Sequence, residues 1–266
     1  MGQERRLIVS GIVIFLDIFL AVVGAAVGSF LNVLICRLPE GLSIVVPSSH
    51  CPKCKHAIRF YDNIPIVSYL VLGGKCRDCG EKISLRYPFV ETLTAVMSLL
   101  LFWKFGLSLQ YLFAFVFTCA LIVITFIDFD HQIIPDVITL PGIPIFALIA
   151  VFFMGLTWWD AVLGVLIGGG CLYAVAVGYE LLTKREGMGG GDIKLLAMMG
   201  GFLGWKSLFF VLFLSSLLGA LVGVAVMIAK GRDMKYAVPF GPFLSIAAVV
   251  YVFLGKRVTM LFFLQY

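Results

Sequence analysis

Seven apolar runs, each about as long as a lipid bilayer is thick, leave this chain few ways to fold. They are Leu7–Ile35, Tyr87–Trp103, Leu107–Ile127, Val137–Leu156, Ala161–Leu182, Leu208–Ala229 and Phe240–Leu254. A helix crossing the hydrocarbon core needs roughly 20 mostly apolar residues. Of 266 residues, 61% are hydrophobic and 13% charged, with a mean hydropathy of +1.07. A soluble domain does not carry that balance, so the sequence reads as an all-α polytopic membrane protein. The first run is too long for a signal-peptide core and has no convincing cleavage site. The net charge of +5 is no sign of nucleic-acid affinity, and no nucleic-acid partner is expected.

Basic residues set the expected orientation. Eight of the twenty lie between Arg37 and Arg86, which places that segment in the cytoplasm and the N-terminus outside. Following the spans, Asp128–Asp136 and Lys184–Lys194 fall inside, while Trp158 and Trp159 fall outside. A shorter apolar piece, Ile193–Gly204, complicates the count. Its twelve residues reach only about 18 Å at ~1.5 Å per residue, short of the ~30 Å core. Charge does not decide whether it crosses. Lys230, Arg232 and Lys235 on one side balance Lys206, Lys256 and Arg257 on the other. The expected organisation is a first transmembrane helix (1–36), a cytoplasmic insert (37–86) and a membrane domain (87–266).

The insert carries CPKC at Cys51–Cys54 and CRDC at Cys76–Cys79, with 21 residues between them. Each C-x-x-C sets two sulfurs on one knuckle, and two knuckles complete a tetrahedral four-thiolate zinc site. The metal would compensate for the small core of so short a module. Four thiolates leave no open position, so the zinc reads as structural. Disulfides and a redox C-x-x-C are the alternatives; a cytoplasmic setting disfavours stable disulfides. Lys53, Lys55, Lys75 and Arg77 would offset the charge of the sulfurs. Cys36, Cys119 and Cys171 read as small packing residues.

Among the fifteen acidic residues, two at the edges of apolar runs form the candidate pair. Asp192 closes the tract GMGGGD at Gly187–Asp192, and Asp128 directly follows Ile127. Ionisable groups at membrane depth are functional candidates by default. Glycine lets a backbone or a substrate approach closely. The bland alternatives are an N-cap for Asp192 and solvated loop charge for Asp128. Asp130 points to a different face if the helix continues past Asp128, and Asp136 reads as an N-cap of the following span. Asp17 lies inside the first run, and Glu91 suits the N-terminal turns of the second. Two carboxylates at one membrane depth would share a proton and divide acid and base roles. The three histidines form no metal spacing.

These segments together resemble the bacterial type IV prepilin peptidases, GxGD-class membrane aspartic proteases that are also N-methyltransferases. The resemblance rests on GSFLNVLICRLP at Gly28–Pro39, the two C-x-x-C motifs, YDNIPIVSYLVLGGKCRDCG, RYPFVE, IDFDHQIIPDVITLP at Ile127–Pro141 and GMGGGDIKLLAMMG at Gly187–Gly200. It implies that Asp128 and Asp192 are the catalytic pair, at the family's separation of 64 positions. It implies about eight spans, which makes Ile193–Gly204 a short crossing helix. It also implies the substrate: the basic leader of prepilins and pseudopilins, cut after a glycine at the cytoplasmic face of the inner membrane. The new N-terminal residue would then be methylated with S-adenosylmethionine. No G-x-G-x-x-G after a strand marks a Rossmann-type site; the resemblance instead implicates Gly74, Lys75 and the GSFLN stretch at Gly28–Asn32 in methylation. Gly168–Gly170 read as helix packing. The rival readings are a peptidase without methyltransferase activity, a proton-relaying transporter, and a binding protein that docks partners through its zinc module. The transporter has no inverted repeat to support it.

Overall fold

A computed structural model of the chain describes residues 2–184, 189–230 and 239–263. Gly187 and Met188 of the glycine tract, and Arg232 and Lys235 of the basic residues, lie outside the described residues. All regular structure among the described residues is helical: α1 Gly2–Arg37, α2 Val67–Val71, α3 Arg86–Phe105, α4 Leu109–His131, α5 Asp136–Phe153, α6 Trp158–Thr183, α7 Gly190–Leu203, α8 Trp205–Lys230 and α9 Gly241–Phe263. All seven apolar runs fall largely inside helices. Six of these helices (α1, α3, α4, α5, α6 and α8) are long and apolar enough to cross a membrane. In α9 the apolar stretch Gly241–Gly255 is shorter.

The chain forms two compact units, residues 1–123 and 124–266, with the boundary inside α4. In the first unit α1 packs on α3, and glycine makes the approach possible. A Cβ on Gly24 would lie 2.8 Å from the Cα of Ala95, and one on Gly28 would lie 2.7 Å from the Cα of Glu91. The two glycines are four residues apart, so they share a face and let the backbones meet. Buried Asn32 donates to the Tyr87 carbonyl and ties the same two helices one turn further on. Asp17, a possible functional carboxylate by sequence, has a structural partner: the Trp103 indole N–H donates to it at 2.9 Å. Glu91 is buried and accepts the Ile66 backbone N–H at 2.7 Å, which fastens the insert to α3.

In the second unit α7 is the inner helix. It packs against α5, α6, α8 and α9, and every residue from Leu195 to Phe202 is buried. Its fourteen residues reach about 21 Å at ~1.5 Å each, less than a bilayer core. Protein on several sides lets so short an apolar helix persist at membrane depth. The α6–α7 contact is glycine on glycine: a Cβ on Gly164 would run into the Gly200 carbonyl, and one on Gly200 into the Gly164 carbonyl. Gly168 is part of the same seam, with Leu196 O 2.6 Å from where its Cβ would stand. Gly170, also expected to pack, faces open space. The packing role therefore belongs to Gly164 and Gly168, four residues apart on one helical face.

Candidate active site and metal centre

The α4 helix continues one turn beyond Asp128, ending at His131. That continuation separates the two aspartates of IDFD. Asp128 is 5% exposed, whereas Asp130 is on the exposed side. Loop solvation does not explain a carboxylate buried this way. Asp192 is the third residue of α7, whose N-cap position is taken by Gly189. Its side chain caps nothing, and its Oδ1 is buried without a hydrogen-bond partner among the described residues. Ile134 links their surroundings: it abuts Gly191, next to Asp192, and it also abuts Gly241, whose N–H bonds Asp128. The candidate pair is thus brought together in one unit from helices 64 positions apart.

The glycine tract is selective in its use. A Cβ on Gly191 would stand 2.8 Å from Ile134 Cβ, while Gly189 and Gly190 face open space. Among the described glycines of the tract only Gly191 is packed, against Ile134. Asp136 is not the cap expected of it. Pro135 holds the N-cap position of α5, and Asp136 instead takes Lys194 Nζ at 2.7 and 2.9 Å. This pair joins the first turns of α5 and α7 beside the site. Sequence reasoning missed one residue altogether: Gly241, whose backbone N–H donates to Asp128 Oδ2 at 3.0 Å. Its only local signal is the Gly241–Pro242 step at the head of an apolar run, which marks a helix start but names no partner.

In the first unit the four cysteines converge. The Sγ atoms of Cys51, Cys54, Cys76 and Cys79 all lie within 4.8 Å of one another. Cys51 and Cys79 are 3.8 Å apart, the edge length of a tetrahedron with metal–sulfur bonds of ~2.3 Å. The two halves repeat at an offset of 25 positions. The Cys51 N–H donates to His56 O as the Cys76 N–H donates to Glu81 O. Lys55 N–H and Gly80 N–H each return to the first cysteine's carbonyl, and the bridges His50–Ala57 and Lys75–Lys82 close the two loops. Four sulfurs this close cannot all ionise unaided. The backbone N–H groups of Cys54 and Lys53 pull the Cys51 thiol down to about 6. Cys79 accepts from the Glu81 N–H, yet burial and its three neighbouring thiols push it up to about 12. A divalent cation relieves that conflict, so the cluster can hold zinc.

Lys53 and Arg77 are not simple counter-charges to the sulfurs. Lys53 pairs with Glu81, and Arg77 forms a forked pair with Asp62 while covering the Tyr61 ring. Cys119 is buried, as expected of a packing residue, but Cys171 is exposed, and Cys36 lies 3.2 Å from the Arg86 guanidinium.

Gly74 and Lys75 line a cavity of about 460 Å³ at the outer edge of the second knuckle, with Tyr69, Gly73, Lys82 and Ser84 among its walls. Gly74 has φ +68°, and a Cβ there would meet the Tyr69 hydroxyl at 2.8 Å, so both conformation and space require glycine.

Residues 22–105 match the bacterial peptidase A24 N-terminal domain, and residues 115–224 match the type IV leader peptidase family. A relative from Pseudomonas putida, named prepilin leader peptidase/N-methyltransferase, is 39% identical over 89% of this chain and 90% of its own length. The chain belongs to the type IV leader peptidase family. Relatives of the same name from Pseudomonas aeruginosa (39% identity, 89% of each chain) and Neisseria gonorrhoeae (39%, 85% of this chain and 86% of its own) agree. No solved structure matches significantly. Membership in this peptidase family makes the protein a multi-pass membrane enzyme, and its relatives' names carry a methyltransferase activity as well. Every segment quoted for the resemblance lies within residues 22–105 or 115–224.

Proposed function

We propose that the protein removes the leader from type IV prepilins and pseudopilins by a two-aspartate mechanism and then methylates the new N-terminus. The observation that supports the peptidase half is that Asp128, 5% exposed, and Asp192, whose Oδ1 is buried without a partner among the described residues, both border the Ile134 side chain through Gly241 and Gly191. A pair of interacting carboxylates holds one proton between them. The ionised member takes a proton from water, which attacks the scissile carbonyl carbon. The protonated member donates to the carbonyl oxygen, and collapse of the tetrahedral intermediate expels the amine, reprotonated from the pair. The partner is itself an apolar helix with a basic leader, so its scissile bond lies at the membrane interface. Charge placement puts that interface on the cytoplasmic face of the inner membrane.

The cysteine cluster holds structural zinc through Cys51, Cys54, Cys76 and Cys79. S-adenosylmethionine occupies the cavity at Gly74 and Lys75. Its two lysines, Lys75 and Lys82, stand opposite each other on an antiparallel bridge and suit the donor's carboxylate. Tyr69 offers a ring for its adenine.

One experiment covers both halves. Purified protein is incubated with a prepilin and methyl-labelled S-adenosylmethionine, leader loss is followed on a gel, and label is located on the product. Asp128→Asn and Asp192→Asn are each expected to abolish cleavage, Asp130→Asn to retain it, and Lys75→Ala to cleave without transferring label. Full cleavage by Asp192→Asn refutes the mechanism.

A further inference from the structure

We infer that Gly241 is a positioning residue for the peptidase reaction: its backbone N–H holds one oxygen of Asp128, and only glycine leaves room for the carboxylate it holds. The inference rests on the dyad reading above.

The bond follows from how α9 begins. A helix leaves its first N–H groups without intrahelical partners. Here Phe243 and Leu244 turn back to the Phe240 carbonyl at 3.1 and 3.2 Å, and Pro242 has no N–H to place. The Gly241 N–H is left over, and it points at Asp128 Oδ2 at 3.0 Å, across 113 positions of sequence. With one oxygen committed to a backbone group, the Asp128 carboxylate is fixed in rotation, and its other oxygen is the one offered to water and to Asp192.

Space makes the residue specific. A Cβ on Gly241 would stand 2.6 Å from Asp128 Oδ2, against about 3.4 Å for ordinary contact, so the carboxylate would have to move by about 0.8 Å. The new methyl would also crowd Ile134 Cδ1, 3.2 Å away. Ile134 also abuts Gly191, next to Asp192. One side chain therefore fills the space between two glycines, each adjoining one aspartate. A reacting group misplaced by about 1 Å loses on the order of 10²-fold in rate.

The test compares Gly241→Ala with Gly219→Ala, an α8 glycine whose added methyl would meet only the Phe243 ring at 3.6 Å. Asp128→Asn and Asp192→Asn are run in parallel. Gly241→Ala is expected to lower kcat for prepilin cleavage by roughly 10²-fold with KM within about twofold and methylation of a pre-cleaved pilin unchanged. Gly219→Ala is expected to match the parent. Wild-type kcat in Gly241→Ala overturns the inference, as does a parallel collapse of kcat, KM, methylation and melting temperature. Cleavage by either Asp→Asn variant would instead sink the dyad reading. If Gly241→Ala accumulates poorly, removing the carboxylate should remove the clash. Asp128→Ala/Gly241→Ala is then expected to melt where Asp128→Ala does, and a lower melting point overturns the inference.

Discussion

The 25-position repeat of the insert makes a quantitative prediction about the zinc proposed for it. After the second cysteine of each knuckle the chain must turn left-handed. Gly80 does so with φ +70° in one half; Lys55 does so with φ +59° in the other. A side chain in that conformation costs roughly 1–2 kcal/mol, and glycine costs next to nothing. Because metal binding and knuckle folding are one equilibrium, the strain is expressed in zinc affinity, where 1.4 kcal/mol is about tenfold. Gly80→Ala is therefore expected to weaken zinc binding by roughly 5- to 30-fold, and Lys55→Gly to strengthen it by a similar factor. Lys55→Gly also removes a charge near the sulfurs, so Lys55→Met, which removes the charge and keeps the strain, is the reference. The assay is competition between full-length protein in detergent and a chromophoric chelator, after metal analysis shows about one ion per chain. Equal affinities for Lys55→Gly and Lys55→Met would refute the role assigned to the backbone angle. A Gly80→Ala protein within twofold of the parent would do the same.

Two further outcomes follow from contacts elsewhere. Gly168→Ala pushes a methyl against Leu196 O and is expected to cost about 1–3 kcal/mol of packing and to reduce cleavage by shifting α7 with Asp192. Gly170→Ala, on open space, should gain ~0.5–1 kcal/mol of helix preference; thermal melts that fail to separate the two would contradict the α6–α7 seam. In the insert, the Arg77 guanidinium holds Asp62 below the usual carboxylate range. A depressed carboxyl stabilises above its unfolded value near 3.9 and loses that contribution as pH falls through its folded value. The melting difference between the parent and Arg77→Gln is thus expected to be level from pH 8 to 5 and to shrink below about pH 4. A difference as large at pH 3 as at pH 7 would count against the pair.

What could be read from the sequence depended on how local each determinant is. The knuckles were legible because C-x-x-C is a local geometry, and one repeated motif is enough to specify four ligands. The aspartates were legible because a carboxylate at the margin of an apolar run is costly wherever the helices go. The same local reasoning misassigned Asp136. A carboxylate after a proline and before an apolar run looks like a cap, and nothing nearby in the sequence reveals that Lys194, 58 positions on, would claim it. Gly170 was misread for a similar reason. Three consecutive glycines look alike, but a helix turns about 100° per residue: α7 presses closely on Gly168, is in ordinary contact at Gly169 and is out of reach of Gly170.

Gly241 marks the limit of that reasoning and shows what sets it. Its role depends on a hydrogen bond donated to a residue 113 positions away, and on a space too narrow for a methyl, bounded by Asp128 Oδ2 and by Ile134 from a third segment. Neither leaves a local trace beyond a helix-start signal that any capped helix carries. The carboxylates proposed to be catalytic announce themselves because burying them is expensive, whereas the glycine proposed to position one of them is inexpensive and looks like an ordinary turn. In a membrane enzyme built from apolar helices, the residues that aim the catalytic groups are therefore the hardest to find from sequence. The place to search is each glycine whose missing Cβ would touch a buried charge. Among the described glycines Gly241 alone meets a carboxylate oxygen closer than 3 Å, and so it is the first to mutate after the aspartates themselves.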